Sequence, residues 1–344
     1  MKLFLRLLAV LLVLMLAGAG YATFEGWRFL STAPQTEAEE ILFDVQQGQS
    51  MNKAAAALET QGLITNARYF VWLARYKQVD NKLQAGRFAL NRAWTPEQVL
   101  EQLIYGKPVL SRITIREGLT WWQTGKLLED AGYVTMADFQ ALIHDPAFLR
   151  HYGIPFANAE GFLMPETYLL HKPETLSPES ARKVVGRLLD TFWAKTAKLW
   201  HEGKKPAADE LKRILSLASI VEKETAIADE RPRVAGVYQN RLRINMALQA
   251  DPTVIYGLGA QFDGNLRRRN LDDASNPYNT YQIAGLPPGP ICSPGLASIA
   301  AALAPELHDF LYFVAVNDGG RHTFSKNLTD HNRAVQQYLR NRRQ

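Results

Sequence analysis

The segment FDVQQGQSMNKAAAALETQGLI, residues 43–64, decides the fold of the first part of this chain. It has a short β-prone start, a turn at Gly48, a serine at Ser50, an alanine-rich stretch and a second glycine, Gly62. Serine can accept hydrogen bonds from the free backbone N–H groups at a helix start, and glycine adopts the left-handed conformation that ends many helices. The pattern therefore predicts a strand, a turn and a helix of about three turns.

A second segment, ITIREGLTWWQTGKLLEDAGYV at residues 113–134, repeats this plan with Thr120 at the cap position. Its two glycines, Gly118 and Gly132, are 14 residues apart, and the spacing in the first segment is the same. An internal repeat of this kind indicates two small α+β modules.

The chain between the two segments completes the first module. It predicts a helix at Ala67–Tyr76, a strand AGRFAL at residues 85–90, and a helix that begins after Thr95 with Pro96 in its first turn. The order over residues 43–90 is β-α-α-β, which resembles a LysM-like module, the kind that binds chains of N-acetylglucosamine. The pattern is compatible both with glycan binding and with a purely structural role.

The N-terminus carries an uncharged run of 18 residues, Leu7–Phe24, behind Lys2 and Arg6. Its length is near the lower limit for a membrane-spanning helix, and the preceding positive charges predict a cytoplasmic N-terminus and an exported body. Two interpretations fit: an uncleaved anchor, which the length of the run favours, and a signal peptide cleaved near AGAGYA at residues 17–22. Both export the rest of the chain.

The amino-acid composition limits which kinds of functional site this chain can contain. Of 344 residues only Cys292 is a cysteine, which excludes an internal disulfide framework, and the seven histidines show no metal-ligand spacing. We therefore expect no metal and no cofactor. The net charge of +5 comes in large part from arginine clusters at 267–269 and 340–343. No aromatic and basic stripe accompanies them, so they predict solvated surface or affinity for an anionic surface, and we expect no nucleic-acid partner.

Two carboxylates stand near the end of an amphipathic helix in SLASIVEKETAIADE, residues 216–230. Successive helical residues turn about 100°, so Glu222 and Glu224 point about 160° apart and cannot share one reacting atom. Both border the apolar stripe, and apolar surroundings favour the acid form of a carboxyl, which permits proton donation near neutrality. Their helical positions do not show which of the two is the proton donor. For each glutamate the alternative is an ion pair with a nearby cation.

Four further motifs accompany these glutamates. They are EGFLMPETYLL (160–170), VAGVYQNRLRINMALQADPTVIYGLG (234–259), NPYNTYQIAGLPPGPICSPG (276–295) and RHTFSKNLTDHN (321–332). Together and in this order they resemble the YceG-like family, the endolytic murein transglycosylases of the MltG type, from Phe43 to the C-terminus. The resemblance implies a single-pass inner-membrane protein whose periplasmic catalytic domain cuts nascent peptidoglycan strands internally.

The resemblance also implies a catalytic role for Glu224 in VEKET and a supporting role for Glu222. In that mechanism Glu224 protonates the glycosidic oxygen between N-acetylmuramic acid and N-acetylglucosamine. As carboxylate it then takes a proton from the muramic acid C6 hydroxyl, which closes a 1,6-anhydro ring. Glu166 stands where the family carries aspartate, so its carboxylate has a longer reach.

Other residues of these motifs are expected to contact the sugar chain. Amides, hydroxyls and carboxylates offer hydrogen bonds, and aromatic rings offer flat faces for sugars. For each residue, support of the fold is the alternative, and for His322 that alternative is a satisfied structural histidine. The expected substrate-binding residues are Glu166, Tyr168, Glu222, Gln249, Asp251, Tyr256, Asn279, Thr280, Tyr281, His322 and Phe324.

Three functions follow from these residues. The first is the transglycosylase, which would terminate strand elongation. The family resemblance also suggests that it binds peptidoglycan synthases, the penicillin-binding proteins. The second is a hydrolase that uses Glu224 with Asp251 or Glu166 as a second carboxylate. The third is a membrane-tethered scaffold that binds glycan without cutting it.

The predicted fold class is α+β. Its parts are a cytoplasmic tip (1–6), a transmembrane helix (7–24), a linker (25–40), a LysM-like module (41–110) and a larger α+β catalytic domain (111–344). A hairpin is expected within FLYFVAVNDGGRHTFS, with residues 317–320 as its turn.

Overall fold

The structure, a computed structural model, describes residues 2–46, 48–173, 175–316 and 320–341. Over these ranges the chain forms fourteen α-helices and six β-strands. It divides into two compact units, residues 1–111 with 169–174, and residues 112–168 with 175–344. The mixed α+β class with one apolar N-terminal helix is as predicted.

The first unit contains one antiparallel strand pair and four helices. In chain order they are α1 (Lys2–Ser31), β1 (Glu40–Val45), α2 (Met51–Thr60), α3 (Ala67–Tyr76), β2 (Gly86–Asn91) and α4 (Pro96–Tyr105). In the β1–β2 register Phe43 stands opposite Phe88. Both rings are buried in one hydrophobic core with Leu58 of α2, Phe70 of α3 and Leu103 of α4. The order β1-α2-α3-β2-α4 is the predicted one.

α1 is longer than the predicted transmembrane segment, because it continues past Phe24 to Ser31. Residues Val10–Ser31 are long and apolar enough to cross a membrane, with a mean hydropathy of 1.4. Phe29, in the last turns of this helix, is 5% exposed and packs into the core of the first unit. The first part of the expected linker is therefore helical and folded, and residues 32–39 connect it to β1.

The second unit contains most of the helices. Its elements are β3 (Ser111–Ile115), α5 (Trp121–Asp130), α6 (Met136–Ile143), α7 (Pro146–His151), β4 (Glu166–Leu170), α8 (Pro178–Thr196), α9 (Ala208–Glu224), α10 (Arg231–Arg243), α11 (Asp251–Leu258), α12 (Arg268–Leu271), α13 (Leu296–Leu303), β5 (Tyr312–Ala315), β6 (His322–Ser325) and α14 (Leu328–Asn341). The first residue of β3 and the last two of β4 fall within the residue ranges of the first unit. β3 pairs with β4, and β5 pairs antiparallel with β6. The hairpin strands are confirmed; residues 317–319 of the expected turn lie outside the described residues.

The predicted internal repeat is confirmed in the backbone. Ser50 accepts a hydrogen bond from the N–H of Lys53, and Thr120 accepts one from the N–H of Gln123, both at 3.4 Å. The corresponding glycines all have positive φ angles: Gly48 +75°, Gly62 +67°, Gly118 +76° and Gly132 +74°. Left-handed backbone is cheap only for glycine, so these four positions explain why both segments turn and stop alike.

α9 is the central helix of the second unit. Every residue from Ile214 to Val221 is buried, as expected for a helix enclosed by neighbours rather than lying on a surface. It packs against α10 and α13. The buried Ser219 hydroxyl accepts a hydrogen bond from the N–H of Ile291 at 3.0 Å, which fixes the glycine- and proline-rich loop against the helix. The C-terminal end of α9 is thereby held rigidly.

Candidate active site

Glu224 is the last residue of α9. The next residue, Thr225, has an extended backbone (φ −141°, ψ 130°), so the helix ends there and the chain turns toward α10. From α10 the hydroxyl of Tyr238 donates a 2.8 Å hydrogen bond to Oε1 of Glu224. Tyr238 is 1% exposed, so a rigid partner holds the carboxyl in one orientation.

The surroundings of Glu224 favour its acid form. Burial raises the pKa of this carboxyl to about 7, and the negative charge of Asp251 acts in the same direction. The Tyr238 hydroxyl and the Arg241 guanidinium favour the carboxylate and oppose the rise. The position at the C-terminal end of a helix adds to the effect, because that end repels negative charge. A carboxyl with a pKa near neutrality can donate a proton and then accept one.

Glu224 opens into a cleft of about 390 Å³, within the usual range for small-molecule sites. The lining combines aromatic rings with polar and charged groups from α10, the start of α11, the β5–β6 hairpin and α14. The lining residues are Glu224, Tyr238, Arg241, Gln249, Asp251, Tyr281, Tyr312, Phe313, Leu328, His331 and Asn332.

Arg241 supplies a fixed positive charge to this cleft. It is 7% exposed, and its guanidinium donates to the carbonyl oxygens of Leu311 and Leu248, both at 2.7 Å. The guanidinium carbon also lies 5.3 Å from the ring centroid of Tyr312. It forms no ion pair with a carboxylate among the described residues, so its charge favours the ionised form of Glu224.

Gln249 and Asp251 lie at a strained turn of the backbone, residues 249–251, where α11 begins. Gln249 is exposed with φ +49°, a left-handed conformation that non-glycine residues adopt rarely and that is often found at functional sites. Its N–H donates to the Thr280 carbonyl at 3.0 Å, and the N–H of Ala250 donates to the Thr280 hydroxyl at 2.9 Å. Asp251 then begins α11 and accepts a 2.7 Å hydrogen bond from the Tyr281 hydroxyl.

Glu222 lies on the other side of α9. Its Oε2 accepts a 3.0 Å hydrogen bond from the N–H of Gly295, the residue before α13. Burial raises the pKa of the neighbouring Glu117, and the charge of Glu222 adds to that rise. Glu222 and Glu224 therefore have separate partners, as their helical positions predict, and only Glu224 lines the cleft.

Of the expected substrate-binding residues, Gln249, Asp251 and Tyr281 lie in the cleft with Glu224. Asn279 and Thr280 are fully buried behind it. The Asn279 amide donates to three carbonyl oxygens, at distances of 2.8 to 3.2 Å, in the last turn of α12 and just after it. The hydrogen-bonding groups of both residues are thus used inside the protein, where they hold the cleft wall.

Glu166 and Tyr168 lie on β4, outside the cleft lining. Glu166 forms an ion pair with Lys195 of α8, and this contact lowers the pKa of its carboxyl. Tyr168 is buried, and its hydroxyl donates to the Met164 carbonyl at 2.6 Å. These contacts stabilise the second unit, and neither side chain reaches Glu224.

His322 and Phe324 fix the hairpin to the start of α10. His322 Nδ1 lies 2.7 Å from Oε2 of Glu230, a buried carboxylate. The guanidinium of Arg233 lies 5.4 Å from the Phe324 ring centroid. From the hairpin, Tyr312 and Phe313 line the cleft, and Phe313 stands opposite Phe324 in the strand register.

Tyr256 belongs to a different cluster, in which its ring centroid lies 5.0 Å from Trp122 and 4.8 Å from Tyr278. Its hydroxyl is hydrogen bonded to Glu160, which is 1% exposed and accepts a 2.9 Å bond from the N–H of Trp121. Burial raises the pKa of Glu160 to about 8. Sequence reasoning selected Glu166 from the motif at 160–170 and missed this buried carboxyl.

Sequence reasoning also missed several lining residues. Tyr238 and Arg241 are three positions apart on α10 and share a face, and Leu328, His331 and Asn332 share a face of α14. Their helical spacing within the motifs is the signal that could have grouped them. His331 Nδ1 is buried without a hydrogen-bond partner in the described residues, and burial lowers the pKa of this histidine.

The described residues contain no group of three or more histidine, cysteine, aspartate or glutamate side chains placed to hold a metal ion.

These features define a two-unit α+β protein with an apolar N-terminal helix and a polar cleft built around one half-buried acid. The family model of the YceG-like family matches residues 43–337, and the chain belongs to that family.

Three relatives illustrate the similarity. The endolytic murein transglycosylase of Bacillus subtilis (strain 168) is 28% identical over 335 residues, covering 93% of this chain and 91% of that protein. The protein of that name from Streptococcus pneumoniae R6 is 28% identical over 331 residues, covering 87% of this chain and 58% of that protein. A crystal structure of a YceG-like protein from Listeria monocytogenes matches with a TM-score of 0.55 and 30% identity, covering 86% of this chain and 99% of that one.

Proposed function

We propose that this chain is an endolytic murein transglycosylase that cleaves the β-1,4 bond between N-acetylmuramic acid and N-acetylglucosamine within peptidoglycan strands. The observation that carries the proposal is the state of Glu224, a cleft carboxyl whose pKa of about 7 suits it to act first as acid and then as base. The name shared by the relatives from Bacillus and Streptococcus supports the same activity.

In this reaction Glu224 gives its proton to the glycosidic oxygen as the bond to C1 of the muramic acid breaks. The C6 hydroxyl of the same sugar attacks C1, and its proton passes to the Glu224 carboxylate. No water is consumed, and the enzyme ends in its starting protonation state. Because the hydroxyl and C1 belong to one bound sugar, the attack is intramolecular, which lowers the entropic part of the barrier.

Other cleft residues have roles that follow from their contacts. Tyr238 and Arg241 stabilise the carboxylate that forms after proton donation. The rings of Tyr281, Tyr312 and Phe313 offer faces for sugars, and the exposed amide of Gln249 offers hydrogen bonds.

Hydrolysis is the second candidate, because Asp251 lies in the same cleft and could activate water. Glu166 does not line the cleft, so Asp251 is the carboxylate to test. A glycan-binding scaffold without catalysis is the third candidate, and it requires no acid at Glu224.

The decisive experiment is mass spectrometry of muropeptides released from uncrosslinked glycan strands. Products that end in 1,6-anhydro sugars support the transglycosylase, and products heavier by one water support the hydrolase. Glu224→Gln is expected to lower the rate about 10²- to 10⁴-fold. The matched control is Glu222→Gln, two residues away on the same helix, which should retain most activity. Unchanged cutting by Glu224→Gln would remove this residue from the acid role.

The location of the reaction is part of the proposal. α1 acts as an uncleaved anchor in the inner membrane, with the N-terminus in the cytoplasm and the second unit in the periplasm. The 22-residue apolar span and the basic residues ahead of it support this orientation. Cutting nascent strands there would end their elongation and place the enzyme beside peptidoglycan synthases.

The first unit has the strand–helix–helix–strand order, with paired outer strands, that supports a LysM-like module. Binding of N-acetylglucosamine oligomers by the full chain, measured by calorimetry, tests a glycan-binding role for it.

A further inference from the structure

The outer face of α3 in the first unit is aromatic and basic. Arg68, Trp72, Arg75 and Tyr76 fall at helical positions i, i+4, i+7 and i+8, so they share that face. Trp72 is 61% exposed and Tyr76 is 87% exposed, whereas the opposite face packs into the core. Exposed apolar surface rimmed by polar groups is typical of interaction sites.

The charge of this face is positive. Arg68 and Arg75 are exposed, as is Lys53 on the adjacent α2, and none of them forms an ion pair with a described residue. The nearby Glu59 accepts a hydrogen bond from the N–H of Ala67 at the start of α3. The arginines flank Trp72 along a shallow groove, so a ligand of this face would carry negative charge.

Aromatic rings connect this face to the end of α1. Phe29 of α1 lies 5.7 Å from the ring of Tyr69, and Tyr69 lies 5.6 Å from the ring of Trp72. Five and two residues earlier on α1, Phe24 and Trp27 are exposed with their rings 6.4 Å apart. Tryptophan and tyrosine are enriched where a spanning helix leaves the bilayer, which puts the boundary near Trp27, inside the last turns of the apolar span, if α1 crosses a membrane. The α3 face then lies beside that boundary.

We propose that the α3 face, formed by Arg68, Trp72, Arg75 and Tyr76, docks onto the anionic lipid surface of the membrane that α1 crosses. The arginines bind lipid phosphates and the aromatic rings enter the headgroup layer. The inference rests on the proposed role of α1 as an uncleaved anchor. As a consequence, the first unit is held against the bilayer surface and does not move freely above it.

The test uses the full chain reconstituted into vesicles of phosphatidylcholine, with or without phosphatidylglycerol. An environment-sensitive fluorophore is attached at Asn52→Cys, which lines the groove; Cys292 is fully buried and leaves residue 52 as the labelled site. Flotation with the vesicles first establishes insertion of α1. Failure to float overturns the anchor and the docking together, while the cutting assay in detergent still reports on the chemistry.

If the α3 face docks, spin-labelled lipid headgroups in the anionic vesicles quench the fluorescence of the label at residue 52. In neutral vesicles this quenching should be at least fivefold weaker. Arg68→Gln with Arg75→Gln, or Trp72→Ala, should reduce that quenching several-fold. The matched control, Arg116→Gln with Arg150→Gln, removes the same charge from exposed arginines elsewhere and should leave it unchanged. Equal quenching by aqueous iodide in both vesicles overturns the proposal. If the label at residue 52 is protected from iodide only when glycan strands are added, the proposal is overturned as well, and the face is assigned to sugar binding.

Discussion

The hydroxyl of Tyr238 lies 2.8 Å from Oε1 of Glu224, and the phenol ring that carries it is buried in the core of the second unit. A hydrogen-bond donor at this distance stabilises the charged carboxylate, whereas burial and the charge of Asp251 stabilise the acid. The proton affinity of Glu224 is therefore set by opposing neighbours, and each can be changed separately.

Tyr238→Phe removes the donor and keeps the packing of the ring. Because the hydrogen bond lowers the pKa of Glu224, its loss raises that pKa. Activity that requires the acid form falls above a pH near 7 in the wild type, and this alkaline limb of kcat/KM should move to higher pH in the variant. Tyr281→Phe is the control, since its hydroxyl bonds Asp251. An unmoved limb in Tyr238→Phe would mean that a different group is titrating.

Asp251→Asn should move the same limb in the opposite direction. Asp251 raises the pKa of Glu224, so loss of its charge lowers that pKa, while asparagine can still accept the hydrogen bond from Tyr281. In the transglycosylase the variant keeps most of its rate below pH 6 and still makes anhydro products. In the hydrolase, loss of the base lowers the rate about 10²- to 10⁴-fold at every pH. The pH profile and the product masses together separate the two mechanisms.

Glu224→Gln should stabilise the fold at alkaline pH. The pKa of this carboxyl is raised from 4.5 to about 7 in the folded protein, so the unfolded chain loses its proton first as pH rises. Wild-type stability therefore falls between pH 4.5 and 7, and the full cost of ionising this half-buried group is present above pH 7. The variant avoids that cost, worth about 1–3 kcal/mol after allowance for partial exposure.

Urea unfolding at pH 8 and at pH 4 measures this difference. The variant should be the more stable protein at pH 8, and the two should be nearly equal at pH 4, where the carboxyl is protonated in both states. A variant less stable than wild type at pH 8 would contradict the assignment of Glu224 as a half-buried acid whose ionisation destabilises the fold.

The repeated strand–turn–helix segments were predictable because local chemistry determines them. Ser50 and Thr120 cap helices within three residues, and the glycines adopt φ angles that other residues avoid. The helical position of Glu222 and Glu224 likewise predicted that they face apart. These features depend on neighbours close in sequence.

The cleft was only partly predictable because its contacts join distant segments. Asn279 and Thr280 have the chemistry of sugar-binding residues, and only the fold shows that their groups are used by nearby carbonyls and by Ala250. Arg241 looks like a surface arginine in sequence, yet carbonyl oxygens of Leu248 and Leu311 bury it beside Glu224.

Thr280→Val tests whether the buried threonine positions the cleft. Its hydroxyl accepts from the N–H of Ala250 and lies 2.8 Å from the Thr253 hydroxyl, so valine leaves the buried N–H without its partner. The cost in the free energy of unfolding is expected to be about 1–3 kcal/mol.

The corner at Gln249 and Asp251 should also loosen, because the strained backbone there depends on its neighbours. We expect kcat/KM to fall about tenfold through KM more than kcat, since Glu224 and Tyr238 are untouched. Thr60→Val, whose exposed hydroxyl bonds only its own helix, is the matched control and should change neither quantity measurably. A variant that loses stability but keeps the wild-type KM would limit Thr280 to a structural role.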